Sequence, residues 1–204
     1  MIASIFKKSS FPRSLVVDGT DSDFDAIYPG GIRRHAEQHF TPLPVARRTA
    51  AFLVSEPGTK VLDIGSGAGK FCLIGAATTK GHFTGIEQRK ELVALSGRLA
   101  ATYGITEVHF VHGNVMAIDF KAFDSFYLFN PFYENVRADK RMDNAILLSP
   151  SLYESYSSYT SAKLAALPVG TRLATYFTPA SMIPSDFKEV GSFEEDKLVF
   201  WTKQ

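Results

Sequence analysis

Two short segments of this sequence carry residues whose types and spacing could do chemistry. The first, "DIGSGAG", places glycines at positions 65, 67 and 69 shortly after Asp63. Glycine lets the backbone turn sharply and lets a ligand approach without a Cβ in the way. The second, "LFNPFYEN", ends an apolar run at Asn130-Pro131 and places two aromatic residues in the loop that follows. Such aromatic residues either fill the core or form a binding surface. The position of the segment in the fold distinguishes the two functions.

Strands and helices alternate from Lys60 onward, and this alternation predicts how the two segments are positioned. The runs "KVLDIG", "HFTGIE", "EVHFVHG", "SFYLFN" and "TRLATYF" indicate strands, and apolar or amphipathic stretches between several of them indicate helices. The pattern predicts an α/β fold with a doubly wound, mostly parallel sheet. The tail "DFKEVGSFEEDKLVFWTK" predicts an antiparallel hairpin at one edge, and the preceding residues 1–57 predict an N-terminal helical cap.

The predicted strand ends bring further polar residues to the same edge of the sheet. Pro131 cannot donate to a sheet ladder, so the fourth strand must end at Asn130. Glu87 ends the second strand, and Asn114 and Val115 follow the third. In an open α/β sheet the carboxyl ends of the strands face the ligand crevice. We therefore expect these residues to share one site with the glycine loop.

Taken together, these segments resemble class I S-adenosylmethionine-dependent methyltransferases, over roughly residues 40–204. The glycine loop resembles motif I of that family and departs from the G-x-G-x-x-G dinucleotide fingerprint. The resemblance implies a Rossmann-like fold with S-adenosylmethionine as cofactor. It also implies that Glu87 accepts hydrogen bonds from the ribose hydroxyls, and that Asn114, in place of the usual Asp, accepts from the adenine amino group. The implied cofactor-binding residues are Thr41, Pro42, Asp63, Gly65, Ser66, Gly67, Gly69, Glu87, Gln88, Asn114, Val115 and Asn130.

The segment "NPFY" resembles the N-P-P-[YF] loop of methyltransferases that modify planar nitrogens, with Phe132 in place of the second proline. The resemblance implies that Asn130 and Pro131 accept the hydrogens of the target nitrogen, while Phe132 or Tyr133 stacks on its plane. "HFTPLPV" resembles the segment that places Thr41 and Pro42 near the methionine end of the cofactor. A more distant similarity is to a family of histone-lysine methyltransferases. The methyl acceptor therefore stays open among protein, nucleic acid and small molecules.

Two other functions compete with an N-methyltransferase. In a noncatalytic module that binds S-adenosylmethionine or a nucleotide, the glycine loop would persist and "NPFY" would only plug the sheet end. A nicotinamide-dependent oxidoreductase would use the same fold, but the missing G-x-x-G step counts against it. The spacing "HAEQH" is H-x-E-x-H and not the zinc-protease H-E-x-x-H, so we expect no metal site.

Length and composition indicate the domain organisation, the partners and the location of the protein. The 204 residues fit one domain, with residues 1–57 as a cap segment and residues 58–204 as the cofactor-binding core. A formal net charge of +1 argues against general binding to nucleic acid or to a membrane surface. The single cysteine, Cys72, allows no internal disulfide, and no apolar run reaches the roughly 18 residues of a membrane-spanning helix. We expect a cytoplasmic protein whose partner is the methyl acceptor.

Overall fold

A seven-stranded sheet organises residues 13–204, the part of the chain that the computed structural model describes. Its strands are β1 Lys60–Ile64, β2 His82–Glu87, β3 Val108–His112, β4 Ser125–Phe129, β5 Arg172–Tyr176, β6 Phe187–Phe193 and β7 Leu198–Lys203. The strand order is β3-β2-β1-β4-β5-β7-β6. Strands β1 to β5 pair in parallel, whereas β7 lies antiparallel to both β5 and β6. The predicted doubly wound sheet with a C-terminal hairpin is confirmed.

Helices lie between the parallel strands and before β1. They are α1 Arg13–Val17, α2 Asp21–Asp25, α3 Gly30–Arg33, α4 Ala36–His39, α5 Leu43–Leu53, α6 Lys70–Thr78, α7 Lys90–Tyr103 and α8 Pro150–Ala165. The predicted cap is thus a set of short helices followed by α5, and its residues 1–12 lie outside the described part. Helix α7 has the apolar face that its sequence pattern indicates, since Leu92, Leu95 and Leu99 are buried on one side. Gly104 ends the helix with a left-handed φ of 66°.

The sheet is buried on both faces, which explains its almost continuous apolar strands. Alternate residues of β1 point to opposite sides: Val61 packs with α5, α6 and α7, and Leu62 and Ile64 pack with α8. Asp63 shares the side of Val61 and is only 3% exposed. Because the side-chain period of a strand is 2, this register also fixes which residues face the crevice at the strand ends.

The cap is fastened to α6 by charge as well as by apolar packing. Lys70 Nζ, at the start of α6, lies 2.6 Å from Asp21 Oδ1 and 2.7 Å from Asp25 Oδ1. Asp21 Oδ1 also accepts the N–H of Leu43 at 2.7 Å, which ties α2 to the start of α5. Phe24 is fully buried in the same cluster. These contacts hold α2 and the start of α5 against α6.

Among residues 13–204 no helix is both long enough and apolar enough to cross a membrane.

Candidate active site

A cavity of about 730 Å³ opens at the carboxyl ends of β1, β2, β4 and β5. Its volume is within the range of small-molecule sites. Eleven of the residues singled out from the sequence line it: Pro42, Gly65, Gly67, Glu87, Gln88, Asn114, Val115, Asn130, Pro131, Phe132 and Tyr133. The fold thus brings most of the predicted site residues together around one space.

Two glycines of the loop after β1 face this space in different ways. Gly65 has φ of 79°, and a Cβ there would lie 2.9 Å from Pro131 Cβ, so the glycine loop and the "NPFY" loop touch at this point. Gly67 has φ of 54°, and a Cβ there would meet nothing within 4 Å, because the position faces open space. Gly69 instead packs against the ring of Phe110 and does not line the cavity in the described part of the chain. Gly67 is therefore the position where a ligand can approach the backbone.

Glu87 ends β2 with its carboxylate fixed against the glycine loop. Its Oε2 accepts the N–H of Gly67 at 3.1 Å, and its Oε1 accepts the N–H of Arg89 at 2.8 Å. Burial raises the pKa of Glu87, while the Arg89 and Gly67 contacts oppose that rise. Each carboxylate oxygen has a second lone pair, so the group can still accept hydrogen bonds from a ligand.

Asn114, Val115 and Gln88 form the neighbouring wall of the cavity. Asn114 Oδ1 accepts the N–H of Met116 at 2.9 Å and so caps a short 3₁₀ turn, Val115–Ala117. This bond occupies one lone pair of the oxygen that the sequence reading assigned to a cofactor contact. Val115 is buried and presents an apolar surface. This wall therefore combines the apolar side chain of Val115 with the polar side chains of Gln88 and Asn114.

Asn130 combines a left-handed backbone with an unpaired side-chain oxygen. It adopts φ of 38°, and its Oδ1 is buried with no hydrogen-bond partner among the described residues. Its N–H donates to Thr178 Oγ1 at 3.0 Å, and that hydroxyl also donates to the carbonyl of Leu128. A left-handed non-glycine residue and an unpaired buried oxygen both cost free energy, and such costs concentrate at functional sites.

The two aromatic residues after Pro131 differ in placement. Phe132 is 4% exposed and its ring packs against Tyr156 of α8, with centroids 5.5 Å apart. Tyr133 is partly exposed, and its hydroxyl accepts from Arg137 at 2.8 Å. Phe132 thus holds the loop against α8 and also lines the cavity, and its stacking on the acceptor stays a prediction.

Four of the predicted cofactor residues, Thr41, Asp63, Ser66 and Gly69, lie outside the cavity wall in the described part of the chain. Thr41 is buried and its hydroxyl lies 2.9 Å from that of Tyr127. Asp63 accepts a weak hydrogen bond from Cys72 Sγ at 3.4 Å, and burial raises the pKa of Asp63 to about 7. The assignment of these four residues to the cofactor stays a prediction.

Arg89 is a site residue that the sequence reading missed. Its guanidinium is buried and donates to Glu134 Oε2 at 2.7 Å and to Asp143 Oδ1 at 2.8 Å, with Glu87 Oε1 3.9 Å away. Glu134 Oε2 also accepts the N–H of Met142 at 3.1 Å. Arg89 therefore joins the end of β2 to the loop that follows "NPFY". Its position two residues after Glu87 was the available signal.

His39, set aside at the sequence level, also lines the cavity. Its Nδ1 lies 3.8 Å from Glu134 Oε1, and Gln38 beside it donates to the carbonyl of Lys140 at 3.2 Å. Burial lowers the pKa of His39, with the Glu134 charge acting in the opposite direction. No group of three or more potential metal ligands occurs within residues 13–204. His39 therefore joins the cap to the loop after β4.

The comparisons with known proteins agree with this geometry. Residues 55–163, more than half of the chain, match the family described as "Methyltransferase domain". None of the curated protein sequences matches significantly.

Solved structures with the same fold are numerous. An RNA methyltransferase from Salinibacter ruber in complex with S-adenosyl-L-homocysteine has a TM-score of 0.57 and 22% identity, over 80% of this chain and 92% of that one. TrmN from Thermus thermophilus has a TM-score of 0.62 and 18% identity, over 85% and 52% of the two chains. A mutant of MtNAS in complex with S-adenosylmethionine has a TM-score of 0.58 and 15% identity, over 94% and 76% of the two chains. At these identities the likeness shows the fold.

The family match and the fold together define the class. The chain belongs to the methyltransferase domain family. It is a class I S-adenosylmethionine-dependent methyltransferase, as the sequence predicted.

Proposed function

We propose that this methyltransferase transfers a methyl group to a planar nitrogen held by Asn130 and Pro131. The observation that carries the proposal is the buried, unpartnered Oδ1 of Asn130, in a left-handed residue at the end of β4. A hydrogen-bond acceptor kept unpaired in this way is matched by an amino group that supplies the missing donor.

The cavity fits S-adenosylmethionine on the side of the glycine loop. The open space at Gly67 admits a ligand against the backbone, and the Glu87 carboxylate beside it is suited to accept from the ribose hydroxyls. Val115 supplies apolar contact for the adenine ring, and Gln88 and Asn114 supply its polar edge. Pro42 lies on the same wall.

With the cofactor held by the glycine loop and the acceptor held by Asn130, the methyl group would pass between the two loops near Gly65 and Pro131. When bound, S-adenosylmethionine supplies a methyl group on a positively charged sulfur. The acceptor nitrogen's lone pair forms the new N–C bond as the C–S bond breaks, its electron pair remains on sulfur, and the nitrogen loses a proton to water. The amide oxygen of Asn130 and the carbonyl of Pro131 would hold the two amino hydrogens and thereby aim the lone pair. Positioning of this kind supplies most of the acceleration.

The class of acceptor, the location and the domain organisation of the protein belong to the same proposal. The acceptor is drawn from proteins, nucleic acids or small molecules, and the net charge of +1 favours recognition by shape over general attraction to a polyanion. A cytoplasmic location is consistent with the single cysteine, which is buried. The N-terminal segment contributes Gln38, His39 and Pro42 to the cavity, which supports one domain with the cap as part of the site.

The test uses Asn130→Ala beside Asn144→Ala, an exposed asparagine in the loop after the site. Radiolabelled S-adenosylmethionine is incubated with protein, RNA, DNA and small-molecule fractions of a cell extract, and single-turnover rates are then measured on the labelled fraction. We expect Asn130→Ala to lose about a hundredfold in rate, as for removal of one well-placed polar group. Its affinity for S-adenosylmethionine should stay within about threefold of wild type by calorimetry, because the group acts on the acceptor. Near-normal turnover would show that the "NPFY" loop is structural.

A further inference from the structure

We infer that Thr178 is a positioning residue for the proposed reaction, because its hydroxyl holds Asn130 in the conformation that leaves the amide oxygen available to the acceptor. The inference rests on the proposed function, which gives Asn130 the contact with the acceptor nitrogen. Thr178 is the second residue after β5 and does not line the cavity in the described part of the chain. Its effect on methyl transfer therefore passes through the residues that it holds.

The parallel pairing of β4 with β5 ends just before two residues with left-handed backbone. Phe129 pairs with Tyr176, so Asn130 and Phe177 are the next residues of two adjacent strands. Their φ angles are 38° and 50°. Within residues 13–204, the other non-glycine residues with positive φ all lie in the turn between β6 and β7. Backbone strain is thus concentrated at the carboxyl end of the β4–β5 pair.

The hydroxyl of Thr178 joins the two strand ends at this place. It accepts the N–H of Asn130 at 3.0 Å. Its own proton has two acceptors in reach, the carbonyl of Leu128 at 3.0 Å and the carbonyl of Tyr176 at 3.2 Å. Because a hydroxyl both donates and accepts, one side chain can bond to backbone groups of both strands.

Asn130 depends on such partners because local preferences oppose its conformation. A positive φ is unfavourable for a residue with a Cβ, and a residue before proline prefers an extended backbone. Strained conformations of this kind persist where the surrounding structure determines them. The Thr178 hydroxyl holds the N–H of Asn130, and the N–H of Tyr133 donates to its carbonyl at 3.2 Å. Thr178 therefore connects the strained residue to the sheet.

Thr178 is itself held in place by the antiparallel part of the sheet. The N–H of Phe177, directly before it, donates to the carbonyl of Lys197 at 2.9 Å. Lys197 directly precedes β7, which pairs with β5 along its length. The position of the Asn130 amide is therefore set by β5 and β7 through a single hydroxyl.

Loss of this hydroxyl should change geometry more than stability. Thr178 and Asn130 are both partly exposed, so water can hydrate the N–H that is released. Asn130 would then be free to return to the extended backbone that its place before Pro131 favours. The amide oxygen would move with the backbone, and the acceptor nitrogen would lose its alignment.

The test compares Thr178→Val, which removes the hydroxyl at nearly constant volume, with Thr178→Ser, which keeps it. Thr178→Ala removes the hydroxyl with a smaller side chain and is used if Thr178→Val does not fold. Thr79→Val is the matched control at the end of α6. The Thr79 hydroxyl likewise donates to a carbonyl, that of Gly75 at 2.8 Å, and accepts an N–H, that of Gly81 at 3.2 Å. Thermal unfolding and calorimetry with S-adenosylmethionine are measured on every variant.

NMR of isotope-labelled protein reads the conformation of Asn130 without any acceptor. The three-bond coupling between the N–H and Hα protons reports φ, and amide hydrogen exchange reports the bond to Thr178. We expect Thr178→Val to lose the left-handed φ and the protection of the Asn130 amide, and Thr178→Ser and Thr79→Val to keep both. The Tm of Thr178→Val should fall by no more than about 4 °C.

Single-turnover rates are measured with radiolabelled S-adenosylmethionine and whichever fraction of a cell extract wild type labels (protein, RNA, DNA or small molecules). Thr178→Val should be slower by at least about tenfold, because a misplaced group loses its alignment. Its Kd for S-adenosylmethionine should stay within about twofold of wild type. Thr178→Ser should retain most of the rate, and Thr79→Val all of it. The double variant Asn130→Ala with Thr178→Val should be no slower than Asn130→Ala alone, since the two residues act in series.

A wild-type φ and amide protection of Asn130 in the variant without the hydroxyl would overturn the inference. So would a normal rate in that variant, or a further tenfold loss when the change is added to Asn130→Ala. A Thr178→Ser variant as slow as Thr178→Val would show that the bulk of the side chain matters and the hydroxyl does not. The proposed function fails separately, through normal turnover in Asn130→Ala or labelling of no fraction by wild type, neither of which alters the NMR result.

Discussion

Lys70 and Arg89 are both buried cations held by carboxylates, yet they stabilise different regions of the molecule. Lys70 starts α6 and binds Asp21 and Asp25 of the cap, away from the cavity wall. Arg89 lies in the cavity wall and binds Glu134 and Asp143 of the loop after β4, next to Glu87. The first cation fastens one segment to the core. The second joins the end of β2 to the loop after β4.

The difference teaches that burial and pairing do not reveal the function of a charged residue. A lysine directly after a glycine loop invites a phosphate-binding interpretation, but the ammonium of Lys70 is taken up by two aspartates of the cap. Arg89, with no motif to mark it, contacts groups on both sides of the site. Four substitutions test whether a buried charged group stabilises the fold or acts in the site. They are given from the largest expected effect to the smallest.

Arg89→Ala should have the largest effect. Removing one partner of a buried ion pair leaves uncompensated charge, at a cost of about 3–5 kcal/mol. Because Glu87 and Glu134 would then repel each other, we expect weaker binding of S-adenosylmethionine together with slower methyl transfer. Chemical denaturation, calorimetry and single-turnover rates measure the three effects. Arg89→Lys serves as the control that keeps the charge but loses the fork geometry. If only stability falls in Arg89→Ala, the guanidinium has no function in the site.

Lys70→Met should cost about 3 kcal/mol of stability, since it leaves Asp25 buried without its cation. In conditions where the variant is folded, the affinity for S-adenosylmethionine should stay within about twofold of wild type. The double variant Lys70→Met with Asp25→Asn should recover much of the lost stability, because the unpaired charge is removed as well. A large loss of cofactor affinity in the folded single variant would make Lys70 part of the binding site and remove the contrast with Arg89.

Asp63 extends the comparison to a buried carboxyl that has a thiol as its hydrogen-bond partner. Burial raises the pKa of Asp63 to about 7, against an unperturbed value of 3.8. The native state therefore retains a proton that the unfolded chain releases as the pH rises from about 4. Stability should be highest below pH 4 for this group and fall until about pH 7, by roughly 2–3 kcal/mol between pH 5 and 7.5.

Denaturation of Asp63→Asn across the same pH range checks this expectation. The variant should lose that part of the pH dependence and be more stable than wild type at pH 8. A variant with an unchanged pH profile would mean that Asp63 titrates near its unperturbed value in the folded protein.

Glu87→Gln should have the smallest effect. The amide keeps one acceptor oxygen and loses the charge, so we expect the Kd for S-adenosylmethionine to rise about tenfold, or about 1.4 kcal/mol. Glu134→Gln changes the other partner of Arg89 without touching the proposed ribose position, and its Kd should stay close to wild type. Equal losses in the two variants would mean that Glu87 acts only through Arg89.

The fold and much of the site could be predicted because their signals are local. Alternating strands and helices predicted the parallel sheet, and the Asn-Pro step predicted the end of β4. Residues at strand ends then had to meet at one edge, which is why Gly67, Glu87, Val115 and Asn130 share a cavity. The contact of the Phe132 ring with Tyr156 could not be predicted in the same way, because the two residues are distant in the sequence.

The sequence by itself thus determined the order of strands and helices, the turn at the glycines and the set of groups at the carboxyl ends of the strands. The tertiary structure decided which of these groups face the cavity and which charges meet. Arg89 and Glu134 are 45 residues apart, and Asn130 and Thr178 are 48 apart. Contacts at such separations leave no periodic signal in the chain, because they arise only when the sheet fixes the register of its strands.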